Sequence, residues 1–171
     1  MDRRTVIADA AITVIADAGL RALTHRSLDT ALNLPSGSTS YYFRTRRDLL
    51  SAVVERIANS SRATFEQIAG GPADDPAEAT VRYLRHLLGE REAQLRARHA
   101  LLLDPGMDEI ERTRLGTCLF SVERAADLFD DPAVADGYVA LCEGLVVAGL
   151  SRADFPFERS IVTYLKGAVS S

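Results

Sequence analysis

Hydroxyl and guanidinium side chains are concentrated between residues 36 and 47, and they are the groups in this sequence best suited to binding chemistry. The segment contains three serines, a glycine, two adjacent tyrosines and three arginines: Ser36, Gly37, Ser38, Ser40, Tyr41, Tyr42, Arg44, Arg46 and Arg47. Serine and tyrosine hydroxyls hydrogen-bond phosphates and base edges, and arginine pairs with phosphate oxygens through parallel N–H bonds. These residues therefore fit a surface that contacts a polyanion. Taken alone, they also fit a polar loop, a buried aromatic cluster and a solvated basic turn.

The position of the arginines favours an external anion. Thr45 and Asp48 have the spacing of a helix-capping pair, which predicts a helix with Arg46 and Arg47 in its first turn. Positive side chains there oppose the helix dipole. A phosphate bound at this end would be held by backbone N–H groups and arginine side chains together, and it would remove the conflict.

The composition is that of a soluble globular protein. The chain has 171 residues, of which 47% are hydrophobic and 26% are charged. Its net charge is −4, yet residues 1–50 contain seven Arg and five Asp, so a basic head on an acidic body is allowed. The sequence shows neither a run of about 18 apolar residues nor a signal-peptide pattern. We therefore expect a cytoplasmic protein without a membrane partner.

The sequence does not favour an enzyme, a metal centre or a cofactor. It lacks the GxSxG, GxxxxGK[ST], HExxH and CxxC motifs of nucleophilic, phosphate-binding, zinc and redox sites. His86 and His99 are thirteen residues apart and have no third ligand at zinc-like spacing. Cys118 and Cys142 lie in apolar helical patterns, which is typical of reduced packing cysteines.

Helical periodicity covers nearly the whole chain and predicts an all-α protein of nine helices. Two Asp-Pro pairs mark helix starts, since Asp caps a helix and Pro is preorganised for its first turn. The predicted helices cover residues 4–18, 24–32, 36–43, 45–69, 75–88, 90–103, 108–129, 131–150 and 156–169.

Two short helices joined by a tight turn form the centre of the N-terminal segment. Thr24 can cap the first helix, Asn33 suits a left-handed turn position, and Pro35 precedes the second helix. This spacing is that of a helix-turn-helix, whose second helix presents its N-terminal residues to the major groove of DNA. The hydroxyl-rich segment lies on that second helix.

Four motifs in this order resemble the tetracycline-repressor (TetR) family: residues 7–19, 23–28, 37–43 and 46–50. The resemblance is strong over residues 5–57. It implies an all-helical homodimer, in which a three-helix DNA-binding head is joined by the fourth helix to a variable body. It also implies that the body dimerises and binds a small-molecule inducer, which releases a repressor from its operator.

Carried over by position, eight residues are expected to face DNA. Arg26 starts the second helix and should reach phosphate or a base, and Arg46 stands where the family commonly has a phosphate-binding lysine. The full set is Arg26, Ser36, Gly37, Ser38, Ser40, Tyr41, Tyr42 and Arg46. Three positions depart from the family pattern: Asn33 replaces a glycine, Pro35 a serine or threonine, and Thr39 a larger apolar residue. Because Pro35 removes a cap and a donor, the recognition helix is expected to start later.

The same interpretation predicts a DNA-binding domain at 1–50 and a ligand-binding and dimerisation domain at 51–171, with a connecting helix at 45–69. Apolar stripes on the last two helices either pack inside one chain or form a two-fold interface, which would require a palindromic operator. The predicted interface residues are Val134, Tyr138, Leu141, Leu145, Phe157, Ile161 and Tyr164. The candidates for a mostly apolar inducer pocket are Tyr83, His86, Leu87, His99, Leu102, Met107, Leu119 and Phe120.

A helical dimer that binds only protein is the alternative function. Such a module would fold and dimerise in the same way but would not bind DNA. The main interpretation predicts three partners, namely a double-stranded DNA operator, a second copy of the chain and an unidentified inducer. The sequence does not distinguish repression from activation.

Overall fold

The computed structural model describes residues 2–69, 75–152 and 155–169. Over these residues the chain is all-helical, as its periodicity predicts. Ten α-helices are present there, together with a single 3-10 turn at Leu20–Ala22. The helices are α1 (Arg3–Ala18), α2 (His25–Ala31), α3 (Ser38–Tyr42), α4 (Arg46–Ala69), α5 (Pro76–Gly89), α6 (Glu92–Leu102), α7 (Glu109–Gly116), α8 (Val122–Ala126), α9 (Pro132–Ser151) and α10 (Phe157–Val169).

Four of the predicted helix starts, at Thr24, Thr45, Asp75 and Asp131, are confirmed by side-chain caps. Thr24 accepts a hydrogen bond from a backbone N–H in the first turn of α2. Thr45 and Asp48 exchange two bonds of 3.0 Å at the start of α4, each side chain accepting from the other residue's N–H. Asp75 and Asp131 each accept from the N–H two residues later, ahead of α5 and α9. These local bonds satisfy N–H groups that have no partner inside the helix.

The single helix predicted over 108–129 is wrong, because the chain forms two short helices there, α7 and α8. Arg98 of α6 is buried and donates to the carbonyls of Leu115 and Gly116, at 2.8 and 3.2 Å. These bonds satisfy carbonyls at the end of α7 that a continuing helix would use itself. Ser121 then caps α8 by accepting from a backbone N–H in its first turn.

The chain divides into two compact units. The first comprises residues 1–60 and 93–116, and the second comprises residues 61–92 and 117–171. The first unit therefore contains α6 and α7 as well as the helix-turn-helix. The assignment of DNA binding to residues 1–50 and of ligand binding to residues 51–171 stays a prediction.

Apolar side chains from several helices form the core of the first unit. The fully or almost fully buried residues include Ile7, Ala11, Ile15, Leu23, Leu28, Phe43, Leu49, Val53 and Ile57. At the rim of this core, Arg56 of α4 donates to Asp9 of α1 at 2.6 Å. This bond raises the pKa of the Arg56 guanidinium and joins the first helix to the fourth.

A buried carboxylate holds α3 against α2. Asp29 on α2 is only 5% exposed, and one of its oxygens accepts from the Gly37 N–H at 2.7 Å. Its other oxygen accepts from the N–H and the hydroxyl of Thr39, at 2.8 and 2.7 Å. The turn between the helices uses left-handed conformations at Asn33 (φ 51°) and Gly37 (φ 89°), which these two residue types tolerate best. The bonds from Thr39, with that from Gly37, lower the pKa of Asp29.

In the second unit, α9 packs against α5, α8 and α10, and two of its glycines allow the close approach of neighbouring side chains. A Cβ atom at Gly149 would lie 2.5 Å from the Cδ1 of Leu88 on α5. A Cβ atom at Gly137 would overlap the hydroxyl oxygen of Tyr164 on α10. That hydroxyl donates to the Val134 carbonyl at 2.9 Å, so the ring is fixed across α9.

Cys142 on α9 is buried and reduced, as its apolar surroundings predict, and Cys118 is half-buried and reduced. Burial raises the pKa of the Cys142 thiol to about 12. Because the thiolate is the nucleophilic form of cysteine, Cys142 is inert near neutral pH.

The helix α9 is mostly apolar. An 18-residue window of it has a mean hydropathy of 1.6, and only 28% of that window is buried within the chain. Among the described residues it is the one helix long and apolar enough to cross a membrane, a property shared by core helices of soluble proteins. An apolar helix that is so little buried within one chain is expected to bury its exposed face against another surface.

We expect the substitution Asp29→Asn to lower the melting temperature at neutral pH by several degrees. The new NH₂ group would face donors, so at least one of the three hydrogen bonds that Asp29 accepts, here called the Asp29 clamp, would be lost. Since the folded pKa of Asp29 is lowered, its stabilising effect is present above about pH 4 and is lost as the pH falls through that lowered value. The difference between wild type and variant should therefore shrink in acid. Asp17→Asn is the control, because Asp17 is exposed on α1. It should not change the melting temperature at neutral pH or in acid.

We expect Gly149→Ala and Gly137→Ala each to reduce the free energy of unfolding by about 1–3 kcal/mol, because the added methyl overlaps Leu88 or Tyr164. Gly167→Ala on α10 is the matched control, since no atom lies within 4 Å of the added Cβ. There the higher helix propensity of alanine should stabilise the fold by about 0.5–1 kcal/mol. Urea denaturation measures all three, and equal effects at the three glycines would contradict the close packing of α9.

Candidate nucleic-acid interface

The recognition helix α3 presents a polar surface. It begins at Ser38, after Pro35 and a left-handed Gly37, so it starts later than residue 36, as the proline predicts. Its predicted DNA-facing residues are mostly accessible: Ser36, Gly37, Ser40 and Tyr41 are exposed, while Ser38 and Tyr42 are half-buried. The Tyr41 ring is 83% exposed, whereas Phe43 is fully buried. The aromatic core interpretation thus holds for Phe43 and fails for Tyr41.

Two side chains bind the carbonyls at the C-terminal end of α3. Arg4 of α1 donates to the Tyr42 carbonyl at 2.6 Å, and its guanidinium lies 4.3 Å from the centre of the Phe43 ring. The Nε2 atom of His25, on α2, lies 2.8 Å from the Phe43 carbonyl. Because a carbonyl only accepts, this nitrogen carries the hydrogen. Together with the clamp at Asp29, these bonds fix both ends of a helix of only five residues.

A groove of about 520 Å³ lies beside α3. Arg4, Arg44 and the two tyrosines supply one part of its lining, and α4 supplies the rest. The lining residues are Arg4, Tyr41, Tyr42, Arg44, Asp48, Ser51, Ala52 and Glu55. Guanidinium and phenol donors on the side of α3 can bind an anion, whereas the carboxylates of α4 repel one.

The other predicted basic residues have different surroundings. Arg26 is exposed on α2, which is compatible with a contact to DNA. Arg46 donates to the backbone carbonyls of Leu20, at 2.8 Å, and Leu23, so its guanidinium joins α4 to the 3-10 turn. Its predicted role as a phosphate ligand stays a prediction and would compete with these bonds. Arg47 pairs with Asp108 at 2.9 Å, with 78% of the arginine side chain still exposed.

The candidate pocket residues fall into both units. Tyr83, His86, Leu87, Leu119 and Phe120 belong to the second unit, and His99, Leu102 and Met107 belong to the first. Within the second unit, the rings of Tyr83 and Phe120 meet edge to face at 5.7 Å. Phe65 of α4, which sequence reasoning did not select, contacts Tyr83 in the same way at 5.0 Å.

The predicted dimer stripe is largely turned inward. Tyr138, Leu145, Phe157 and Ile161 are at most 8% exposed, because they pack α5, α9 and α10 together within one chain. These four residues could reach a partner only by leaving the core. The other three residues of the stripe are Val134, Leu141 and Tyr164, and they are half-buried.

The outer faces of these helices carry different apolar residues. Val147 of α9 is 47% exposed, and Val162 of α10 is 37% exposed. A shallow groove of about 470 Å³ lies between Leu141 and the start of α10. The interface itself stays a prediction.

Sequence reasoning missed three residues that position α3. Arg4 carried a readable signal, since it belongs to a basic pair at the start of the first helix. Asp29 and His25 gave no such signal in the sequence around them, because a polar residue on a short helix is normally exposed. Only the fold brings their side chains against Thr39 and Phe43.

Comparison of the sequence with family models and with curated proteins finds no match. Solved structures match over nearly the full length. A transcriptional regulator from Rhodococcus sp. Rha1 aligns with a TM-score of 0.79 at 17% identity, covering 99% of this chain and 97% of that chain. The multidrug binding protein EbrR, complexed with malachite green, aligns with a TM-score of 0.73 at 26% identity, covering 98% of both chains. A structure from Rhodococcus sp. described as a TetR-family transcriptional regulator aligns with a TM-score of 0.67 at 22% identity, covering 99% and 98%.

These similarities extend beyond the N-terminal motifs. The resemblance drawn from residues 5–57 concerned the head alone, and the matched structures add the helical body in the same order. With both the motifs and the full-length fold in agreement, the resemblance is confirmed at the level of the fold: the chain has the TetR-like fold of these structures.

Proposed function

We propose that this chain is a sequence-specific DNA-binding repressor that a small-molecule inducer releases from a palindromic operator. Residues 1–50 bind the operator, and residues 51–171 dimerise and bind the inducer. The protein acts in the cytoplasm as a homodimer and catalyses no reaction.

The observation that carries this proposal is the presentation of α3. Ser40 and Tyr41 are exposed on it, while Asp29, Arg4 and His25 hold the helix at both ends. Base-edge recognition requires side chains that are accessible and a helix that is rigidly placed, because a shift of about 1 Å breaks a bidentate contact. A solvated polar loop would need no such support.

Three facts support a small-molecule inducer. EbrR is described as a multidrug binding protein and is solved with ethidium, malachite green and proflavin. In the second unit of this chain, the aromatic side chains of Phe65, Tyr83 and Phe120 cluster edge to face. Apolar and aromatic groups are the usual lining of ligand sites. We therefore expect an inducer that is mostly apolar and contains rings.

The exposed apolar surface of α9 supports the homodimer. Only 28% of its most apolar window is buried within one chain, and Val147, in the C-terminal third of the helix, is 47% exposed. Two copies related by a two-fold axis would cover this face on both chains at once. Two equivalent heads would then read two half-sites about one helical turn apart.

Selection of duplexes from a random DNA pool tests the DNA-binding function. We expect the wild type to enrich a near-palindrome. Tyr41→Ala should weaken binding to that duplex by about ten- to a hundredfold, because one contact to a base or the backbone is lost. Fluorescence anisotropy measures both affinities.

Ile110→Ala provides the matched control for Tyr41→Ala. Ile110 is 80% exposed on α7, so this change also removes an accessible apolar side chain without disturbing the core. It should leave DNA affinity unchanged. A folded wild-type dimer that enriches no sequence would contradict the proposal and favour the protein-binding alternative.

We expect Val147→Glu to convert the dimer into a monomer, because a desolvated carboxylate would be placed in an apolar interface. Sedimentation velocity measures the change. Val122→Glu on α8 is the control, since Val122 is 39% exposed and lies outside the proposed interface. If both variants stay dimeric, α9 is not the interface.

A further inference from the structure

Two arginines beside the recognition helix are not among those that the family pattern assigns. Arg46 is bound to the carbonyls of Leu20 and Leu23. Arg4 and Arg44 instead line the groove beside α3, and both residues are exposed. The donors available to an anion at this place therefore come from the first turn of α1 and from the loop after α3.

Arg4 is held in place by two contacts. One N–H donates to the Tyr42 carbonyl at 2.6 Å, and one face of the guanidinium lies on the Phe43 ring at 4.3 Å. A guanidinium has five N–H donors, so a single carbonyl leaves others for a ligand in the groove. The positive charge also sits at the C-terminal end of α3, where the helix dipole favours it. Arg4 thus enters the groove already ordered.

The charges of the groove are arranged unequally. Arg4 and Arg44 line the groove together with Tyr41 and Tyr42 of α3, while Asp48 and Glu55 line it from α4. The Asp48 carboxylate already accepts from the Thr45 N–H at 3.0 Å, and Glu55 is exposed. A phosphate is therefore attracted to the side nearest Tyr41 and Tyr42 and is repelled from the side of α4.

We infer that this groove binds a phosphate of the DNA backbone at the edge of each half-site, between the guanidinium groups of Arg4 and Arg44. This inference rests on the proposed function. Arg4 has two roles at this site: it positions α3 through Tyr42 and Phe43, and it donates hydrogen bonds to the phosphate. Arg44 has only the second role. The phosphate belongs to DNA because the groove adjoins the one helix that presents residues to base edges.

The test uses the full-length protein and the duplex selected from the random pool. Affinity for this duplex and for an unrelated duplex is measured by anisotropy between about 50 and 200 mM NaCl. The plot of log K against log salt has a negative slope, and each lost phosphate contact should reduce the magnitude of that slope by about 0.9. Loss of α3 positioning should instead lower the ratio of specific to non-specific affinity.

The variants separate the two effects. Arg44→Ala should weaken binding to both duplexes by about tenfold and make the salt dependence shallower. The ratio of specific to non-specific affinity should not change. Arg4→Lys keeps the charge but cannot stack and fork in the same way, so the slope should persist while the ratio falls. Arg4→Ala should lower both. Arg3→Ala removes an equal, exposed charge one residue away and should change neither.

Three further results complete the test. Glu55→Gln should strengthen binding about twofold, because a repelling charge is removed. Sodium phosphate and sodium chloride are also compared as competitors at equal ionic strength. Stronger competition by phosphate that Arg44→Ala abolishes would support the groove as the phosphate site, whereas stronger competition that Arg44→Ala retains would place the anion site elsewhere and overturn the inference. Melting curves of all variants establish that they are folded.

Other outcomes also overturn the inference. If folded Arg4→Ala and Arg44→Ala variants keep the wild-type slope, the groove holds no phosphate, although the proposed function stands as long as the wild type binds its operator. If the wild type selects no duplex, the proposed function fails and the inference fails with it.

Discussion

The carboxylate of Asp29 is the interaction on which the DNA-reading surface depends. The helix α3 has only five residues, which is too short to be stable by its own hydrogen bonds. Asp29 accepts three hydrogen bonds from Gly37 and Thr39, so it takes the place of carbonyls that a preceding turn of helix would supply. Being buried, these bonds are protected from competing water, and they set the orientation of every side chain on α3.

Thr39 explains a departure from the family pattern. A larger apolar residue at this position would add packing contacts and keep its backbone N–H, but it would offer no side-chain donor. Threonine contributes its N–H and its hydroxyl to the same oxygen of Asp29, at 2.8 and 2.7 Å. The clamp therefore replaces apolar packing with directional bonds. Such bonds restrict the rotation of α3 more than dispersion contacts do, since hydrogen bonds weaken steeply with angle.

The arginines of the first unit have different roles, and the groups that surround each one determine its role. Arg46 satisfies the carbonyls of a 3-10 turn, Arg56 pairs with Asp9, and Arg98 ends α7. Arg4 both supports the recognition helix and reaches the groove. The guanidinium suits each task because it offers several donors in a fixed plane and stays charged when partly buried. The number of arginines therefore overstates the charge available to DNA.

Much of this protein was determined by the sequence through interactions between near neighbours. The all-α class, the helix starts at Thr24, Asp75 and Asp131, and the turn at Asn33 all depend on bonds within a few residues, so they could be predicted. The exposure of Tyr41 on a recognition helix followed from the same local spacing and from the family motifs.

The tertiary structure decided which partner each polar group and each helix face would have. Arg98 ended a helix that periodicity continued, and Arg46 turned to carbonyls some 23 and 26 residues away. The apolar stripe with Tyr138 and Ile161 faced inward, because periodicity shows that a face is apolar but not what covers it. Partners distant in sequence meet only after the helices have packed, so only the folded chain could assign them.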